Sequence, residues 1–216
     1  MVACGVAFAW ELGLLARGEA AFASAITEWG VVPARLTSAW DRGDLLSGES
    51  LTLLSSQFLH GGWLHLLGNL LYLWIFGNNV EDRMGRAGFL LFYLTGGVVA
   101  GLAQVAIDPQ SQIPTIGASG AIAATLGAYL VFFPGARVTS LVFLGFFYQL
   151  VRVPAAFVLV LWFVLQLLDG IGSLGVSQGG GIAFFAHIGG FVFGALVAWL
   201  LMLLGRGGPA SRAGVG

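Results

Sequence analysis

The sequence predicts an all-α polytopic membrane protein built as a bundle of six transmembrane helices. Three observations carry that expectation. Of the 216 residues, 58% are hydrophobic and only 9% are charged, against about 25% charged in an ordinary soluble domain. The mean hydropathy is +0.92. Apolar residues also gather in six runs, to be judged against the ~20 residues a helix needs to cross a hydrocarbon core. The 34 glycines follow no Gly-X-Y period. That excludes collagen and suits close helix contact in lipid, where small residues let backbones approach.

The runs are Met1–Ala16, Gly62–Phe76, Ala87–Ile107, Ile116–Phe133, Pro154–Leu168 and Ile182–Leu204. The first is short and carries Glu11. Between Val138 and Val151 lies a further apolar stretch, too short to cross alone and ended by Arg152 and Pro154. It is read as an interfacial segment, with a seventh crossing as the alternative. These boundaries give one membrane domain at residues 1–204, with a long outer loop at 17–60, and a short cytoplasmic tail at 205–216.

Arginine sets the orientation, because cytoplasmic loops collect Lys and Arg. Arg83 and Arg86 lie between runs two and three, Arg137 and Arg152 between four and five, and Arg206 and Arg212 after six. The loops after runs three and five hold none. Arg17, Arg35 and Arg42 in the first loop are balanced by Glu19, Glu28, Asp41, Asp44 and Glu49, and long loops obey the rule weakly. The expected protein is a multi-pass component of the cell membrane with both termini cytoplasmic. The N-terminus lacks the basic leader of a cleavable signal peptide, so none is expected. Composition excludes two further classes. There is no lysine and the formal net charge is -1, leaving no basic surface for a nucleic acid, and the lone Cys4 rules out an internal disulfide or a Cys-based metal site.

In this topology runs two, four and six all begin at the outer face. His65 and Asn69 lie in the second, Ser119 in the fourth and His187 in the sixth, each within about one to two turns of its start at ~1.5 Å per residue. Ser119 sits in Gly117-Ala118-Ser119-Gly120. Such a serine can be a packing residue or a helix N-cap. It can equally be a nucleophile, with Gly117 and Gly120 clearing space and a helix N-terminus offering N–H groups to an oxyanion. His187 can be a packed core group, yet ionisable residues inside spans are rare and usually functional. Gly190 and Gly194 follow it at a spacing that admits a second helix, for which run four, with Gly120, Ala121, Ala124, Gly127 and Ala128, is the candidate.

His65 and Asn69 share a helix face at i and i+4, either as an interhelical hydrogen-bond pair or as donors to an oxyanion. His60, His65 and His187 are all the histidines. No carboxylate accompanies them at the right depth, so no metal and no cofactor is expected. Asp108 and Asp169 lie near outer loop boundaries as conceivable third members of a triad. A two-residue Ser–His unit, its base held by packing, is the simpler reading.

From about Ser50 to the end of the sixth run the chain resembles the rhomboid family of intramembrane serine proteases. Four stretches carry the resemblance: Phe58-Leu59-His60-Gly61-Gly62-Trp63-Leu64-His65 continuing to Asn69; Gly77 to Gly85 with Glu81 and Arg83; Gly117 to Gly120; and Ala186-His187-Ile188-Gly189-Gly190 with Gly194. It implies a rhomboid bundle with Ser119 as nucleophile and His187 as general base. It further implies an oxyanion hole formed by His65, Asn69 and the Ser119 backbone N–H. The implied partners are membrane lipid and single-span protein substrates, admitted sideways past span five. Two alternatives stand beside it: a catalytically silent rhomboid-like protein that binds membrane clients, and a small transporter. Two positions depart from the family pattern. Many relatives carry an aromatic four residues after the nucleophile, where this chain has Ala123. Relatives often place Trp-Arg just before the stretch aligned with Leu51-Thr52, whereas Trp40 and Arg42 are out of register.

Overall fold

The computed structural model describes residues 1–144, 147–173 and 183–205. Each of the six apolar runs becomes helix. The first is α1 (Val2–Leu15). The second is α5 (Trp63–Tyr72), continued by a π-helical stretch, Leu73–Gly77, into α6 (Asn78–Met84). The others are α7 (Arg86–Ile107), α8 (Ser119–Phe132), α9 (Ala155–Ser173) and α10 (Phe184–Leu203). Three of them, α7, α9 and α10, are long and apolar enough to cross a membrane, whereas α1 and α8 are shorter apolar helices. Arg206, Arg212 and the rest of the expected tail beyond residue 205, together with Ile182, lie outside the described residues.

The centre of the bundle is α8. Every residue from Gly120 to Tyr129 is buried, as expected of a helix that is apolar all round. It packs between α7 and α10 through small residues. A methyl on Gly96 of α7 would stand 2.7 Å from Ala124 Cβ, and one on Gly120 would stand 2.6 Å from Ala100 Cβ. On the α10 side, methyls on Gly190 and Gly194 would strike the carbonyl oxygens of Gly120 and Ala124. Run four is therefore the helix that faces Gly190 and Gly194, as the spacing predicted. The similarly spaced Gly97 and Gly101 face Gln57 and Leu53 instead.

The long first loop is folded, not extended. It contains α2 (Glu19–Trp29), α3 (Pro33–Asp41), α4 (Gly48–Ser55) and a 3-10 turn at Ser56–Phe58. Pro33 opens α3, where its missing N–H costs nothing. With no Trp-Arg in register, Arg35 braces this region by bonding the Glu49 carboxylate and the Thr27 carbonyl. Trp40 Nε1 donates to Ser50 Oγ at 2.9 Å. The loop is then tied to the segment leading into α8. Val31 and Thr115 exchange backbone hydrogen bonds of 3.0 and 2.8 Å, and Ala34 N–H donates to Ser111 O at 3.0 Å.

The stretch read as interfacial is a β-hairpin. Strands β1 (Arg137–Leu144) and β2 (Phe147–Pro154) pair antiparallel from Arg137↔Pro154 to Leu144↔Phe147. Its β-branched and aromatic residues, among them Val138, Thr139, Tyr148, Val151 and Val153, suit a pleated ribbon better than a helix. A two-stranded ribbon leaves its edges unpaired, which hydrocarbon does not tolerate. The stretch therefore forms no seventh crossing helix.

Candidate active site

Ser119 is the first residue of α8. The chain reaches it through Gly117, whose φ of +120° only glycine adopts without strain. A side chain here would also fall 2.6 Å from His65 Nε2. Gly117 N–H is fixed by the Ser56 carbonyl at 2.9 Å. The first helical bond of α8 runs from Ile122 N–H to Ala118 O at 3.0 Å. The N–H of Ser119 therefore precedes the helical pattern and points out of the helix start.

His187 is the fourth residue of α10, brought beside Ser119 by the close α8–α10 contact. The Ser119 hydroxyl and His187 Nε2 lie 2.8 Å apart. On the other side of the ring, Nδ1 stands 2.6 Å from Gln166 Oε1 on α9. An amide oxygen only accepts, so Nδ1 carries the proton and Nε2 presents its lone pair to the serine. Trp162, one turn before Gln166, covers the imidazole with ring centroids 5.8 Å apart and an interplanar angle of 38°. Neither Asp108 nor Asp169 occupies this place; the partner of Nδ1 is an amide.

The remaining polar groups come from α5. His65 Nδ1 accepts the Gly61 N–H at 3.3 Å. Its proton is thereby placed on Nε2, the atom that lies against Gly117 at the serine. Asn69 is buried, and its Nδ2 has no hydrogen-bond partner among the described residues. Ser119, His187, His65, Asn69 and Trp162 all line one open cavity of about 1170 Å³. The four expected groups thus line one cavity, with His187 on the Ser119 hydroxyl, His65 beside Gly117 and the Asn69 amide on the wall. This arrangement can deprotonate a serine and hold an oxygen that becomes negative. No three His, Cys, Asp or Glu side chains gather as a metal-binding group among the described residues.

Ala123 is buried against α10, 3.3 Å from where a Gly190 methyl would lie. The aromatic ring beside His187 comes instead from α9. Sequence reasoning passed over three groups. Trp162 and Gln166 share one face of α9, and Gln166 is the lone amide side chain of the apolar run Ala155–Leu168. That isolation was the available signal. Glu11 was noted only as a charge within a short run. Its carboxyl oxygens accept the His60 backbone N–H at 2.9 and 3.2 Å, joining α1 to the turn before α5. His60 Nδ1 lies 3.0 Å from Phe58 O, and its ring meets that of His65 edge-on at 5.1 Å. Burial, reinforced by the neighbouring His65, pushes the His60 imidazole down to about 4 and keeps it neutral.

The family model of the Rhomboid domain matches residues 47–204. The chain belongs to the rhomboid family. It is 30% identical to RHOMBOID-like protein 5 of Arabidopsis thaliana over 169 residues, 78% of this chain and 50% of that protein. Identity to the mitochondrial Rhomboid protein 1 of Saccharomyces cerevisiae is 28% over 71% of this chain and 42% of that one. A shorter stretch of 86 residues is 42% identical to Rhomboid protease GluP of Bacillus subtilis, covering 40% of this chain and 16% of the relative. The chain spans half or less of the length of these curated relatives. Family membership and the apolar helices together make it an integral membrane protein. In this rhomboid chain all four stretches that carried the resemblance fall within the matched residues, whereas Glu11 and the helices before α4 lie outside them.

Proposed function

We propose that this rhomboid protein is an intramembrane serine endopeptidase that cuts single-span membrane proteins in or near their transmembrane segments. The observation that carries the reading is the 2.8 Å approach of His187 Nε2 to the Ser119 hydroxyl, in a cavity also lined by Asn69, whose Nδ2 has no partner among the described residues. The name of the GluP relative is in keeping with it. The chain crosses the bilayer six times, with both termini cytoplasmic and the cavity open toward the outer face.

In the reaction, a substrate helix enters from the lipid past α9 and unwinds locally, because helical carbonyls are hydrogen-bonded and shielded. His187 Nε2 takes the Ser119 proton as Oγ attacks the peptide carbonyl carbon. His65 Nε2–H, Asn69 Nδ2–H and the Ser119 backbone N–H hold the oxyanion. The protonated His187 then gives its proton to the leaving amine. Water from the outer face attacks the acyl-serine with His187 again as base, releasing the second fragment. No cofactor takes part.

Mass spectrometry of fragments from a panel of single-span substrates tests this. Cleavage at sites in or next to the span by the parent protein, absent with Ser119→Ala, is the expected result. Intact substrates that co-purify equally with both forms would make it a silent client-binding protein.

A further inference from the structure

The departure at Ala123 removes the usual means of holding the catalytic imidazole, and the structure supplies another from a different helix. We infer that Gln166 is a positioning residue for His187, that Trp162 is its steric backstop, and that the dyad is therefore aligned only while α9 is seated against α10. This rests on the protease reading above and adds to it a means of control.

Geometry and packing lead to it separately. Gln166 Oε1 stands 2.6 Å from His187 Nδ1, on the side of the ring opposite Ser119. That contact selects the tautomer in which Nε2 is the base. The opposite tautomer would point an N–H at the serine and could not accept its proton. Trp162 lies one turn away on the same face of α9, covering the ring. An amide suits this depth because it fixes the ring without placing a carboxylate among apolar helices, where a charge is costly.

The other observation concerns α9 itself. Of the three long apolar helices it is the least enclosed, with 17% of its central window buried, against 28% for α10 and 39% for α7. Phe157, Val160, Leu161, Val164 and Leu168 all face outward. It meets α10 near the site through Phe163 against Phe191 at 4.7 Å, Trp162 and Gln166, and farther along through Gly170 against Phe184 and Phe185. Any displacement of α9 that admits a substrate helix also withdraws the groups that orient the base. The enzyme is thus idle while α9 is displaced and regains its aligned dyad when α9 returns over the bound segment.

The test uses the full chain in detergent, with fluorophosphonate labelling of Ser119 reporting dyad alignment independently of substrate entry. Gln166→Leu is expected to lower both the labelling rate and kcat on the order of 10²-fold with KM unchanged, the scale of a misplaced catalytic group. Gln166→Glu, kept neutral by its apolar surroundings and so still presenting a carbonyl oxygen to Nδ1, is expected to recover most of that loss. A Phe163→Cys/Phe191→Cys pair that ties α9 to α10 is expected to label at the parent rate while cleaving a single-span substrate far more slowly. Wild-type labelling by Gln166→Leu would overturn the inference, as would a loss in Gln166→Glu equal to that in Gln166→Leu. So would a tied protein that cleaves at the parent rate. Failure of the parent protein to label at all would instead refute the protease reading.

Discussion

Replacing Gly190 by alanine puts the α8–α10 contact to a quantitative test. The added methyl would stand 3.3 Å from Ala123 Cβ and would overlap the Gly120 carbonyl oxygen. Neither neighbour can rotate away, since one is backbone and the other a single methyl group. α10 must therefore retreat from α8, by on the order of 1 Å if the clash is to be relieved in a close-packed interior. His187 lies three residues earlier on the same rigid helix and moves with it. Added to the observed 2.8 Å, such a shift takes the Ser119–His187 separation to about 3.8 Å, beyond a hydrogen bond. The overpacking itself costs about 1–3 kcal/mol, and a misplacement of that size costs on the order of 10²-fold in rate. The assay pairs fluorophosphonate labelling with thermal melting in detergent. Gly13→Ala, where nothing lies within 4 Å of the added methyl, serves as the silent control. Parent-like labelling and an unchanged melting temperature for Gly190→Ala would refute the claim that this contact sets the dyad distance.

Other consequences follow at single positions. Asn69→Ala removes one proposed oxyanion donor and should lower kcat by about 10²–10³-fold, measured on a model single-span substrate with melting unchanged. Glu11→Ala leaves the buried His60 N–H without its acceptor, so the melting temperature should fall. Glu11→Gln, which keeps one oxygen for that bond, should lose less. The His60 imidazole is neutral in the folded protein, held down to about 4, while the unfolded chain takes up its proton near 6.5. Its stabilising contribution is complete above pH 6.5 and is lost as pH falls toward 4, because the unfolded state then binds the extra proton. Melting temperatures between pH 7 and pH 4 should decline, and His60→Asn should flatten that decline.

The helices were legible because lipid imposes one simple rule, a run of apolar residues; all six runs contain helix, and three of those helices are long and apolar enough to cross a membrane. The Ser119–His187 pair and the polar side chains near it were legible because polar residues stand out against that background: Ser119 and His187 in glycine-rich settings, His65 and Asn69 one turn apart. What escaped depends on pairings that periodicity does not encode. The stretch from Val138 to Val151 is apolar by count, but its β-branched and aromatic residues select a hairpin. Arg35, rather than Arg42, braces the first loop, because its reach to Glu49 depends on how α2, α3 and α4 fold back on one another. Gln166 reaches His187 across a helix contact between residues 21 apart in sequence. Composition marked it only as an isolated polar side chain. Ala123 lacks the aromatic of many relatives, and the ring beside His187 comes from Trp162 on another helix, which spacing around Ser119 does not encode.

The central claim is that Ser119, activated by His187, is a nucleophile. Tandem mass spectrometry after incubation of the full chain with a fluorophosphonate, alongside cleavage of a single-span substrate, tests it most directly. One adduct, on Ser119, is expected in the parent protein together with cleavage, and both are expected to be lost in His187→Ala. Substrate cleavage that persists in Ser119→Ala, or an adduct whose rate is indifferent to His187, would contradict it.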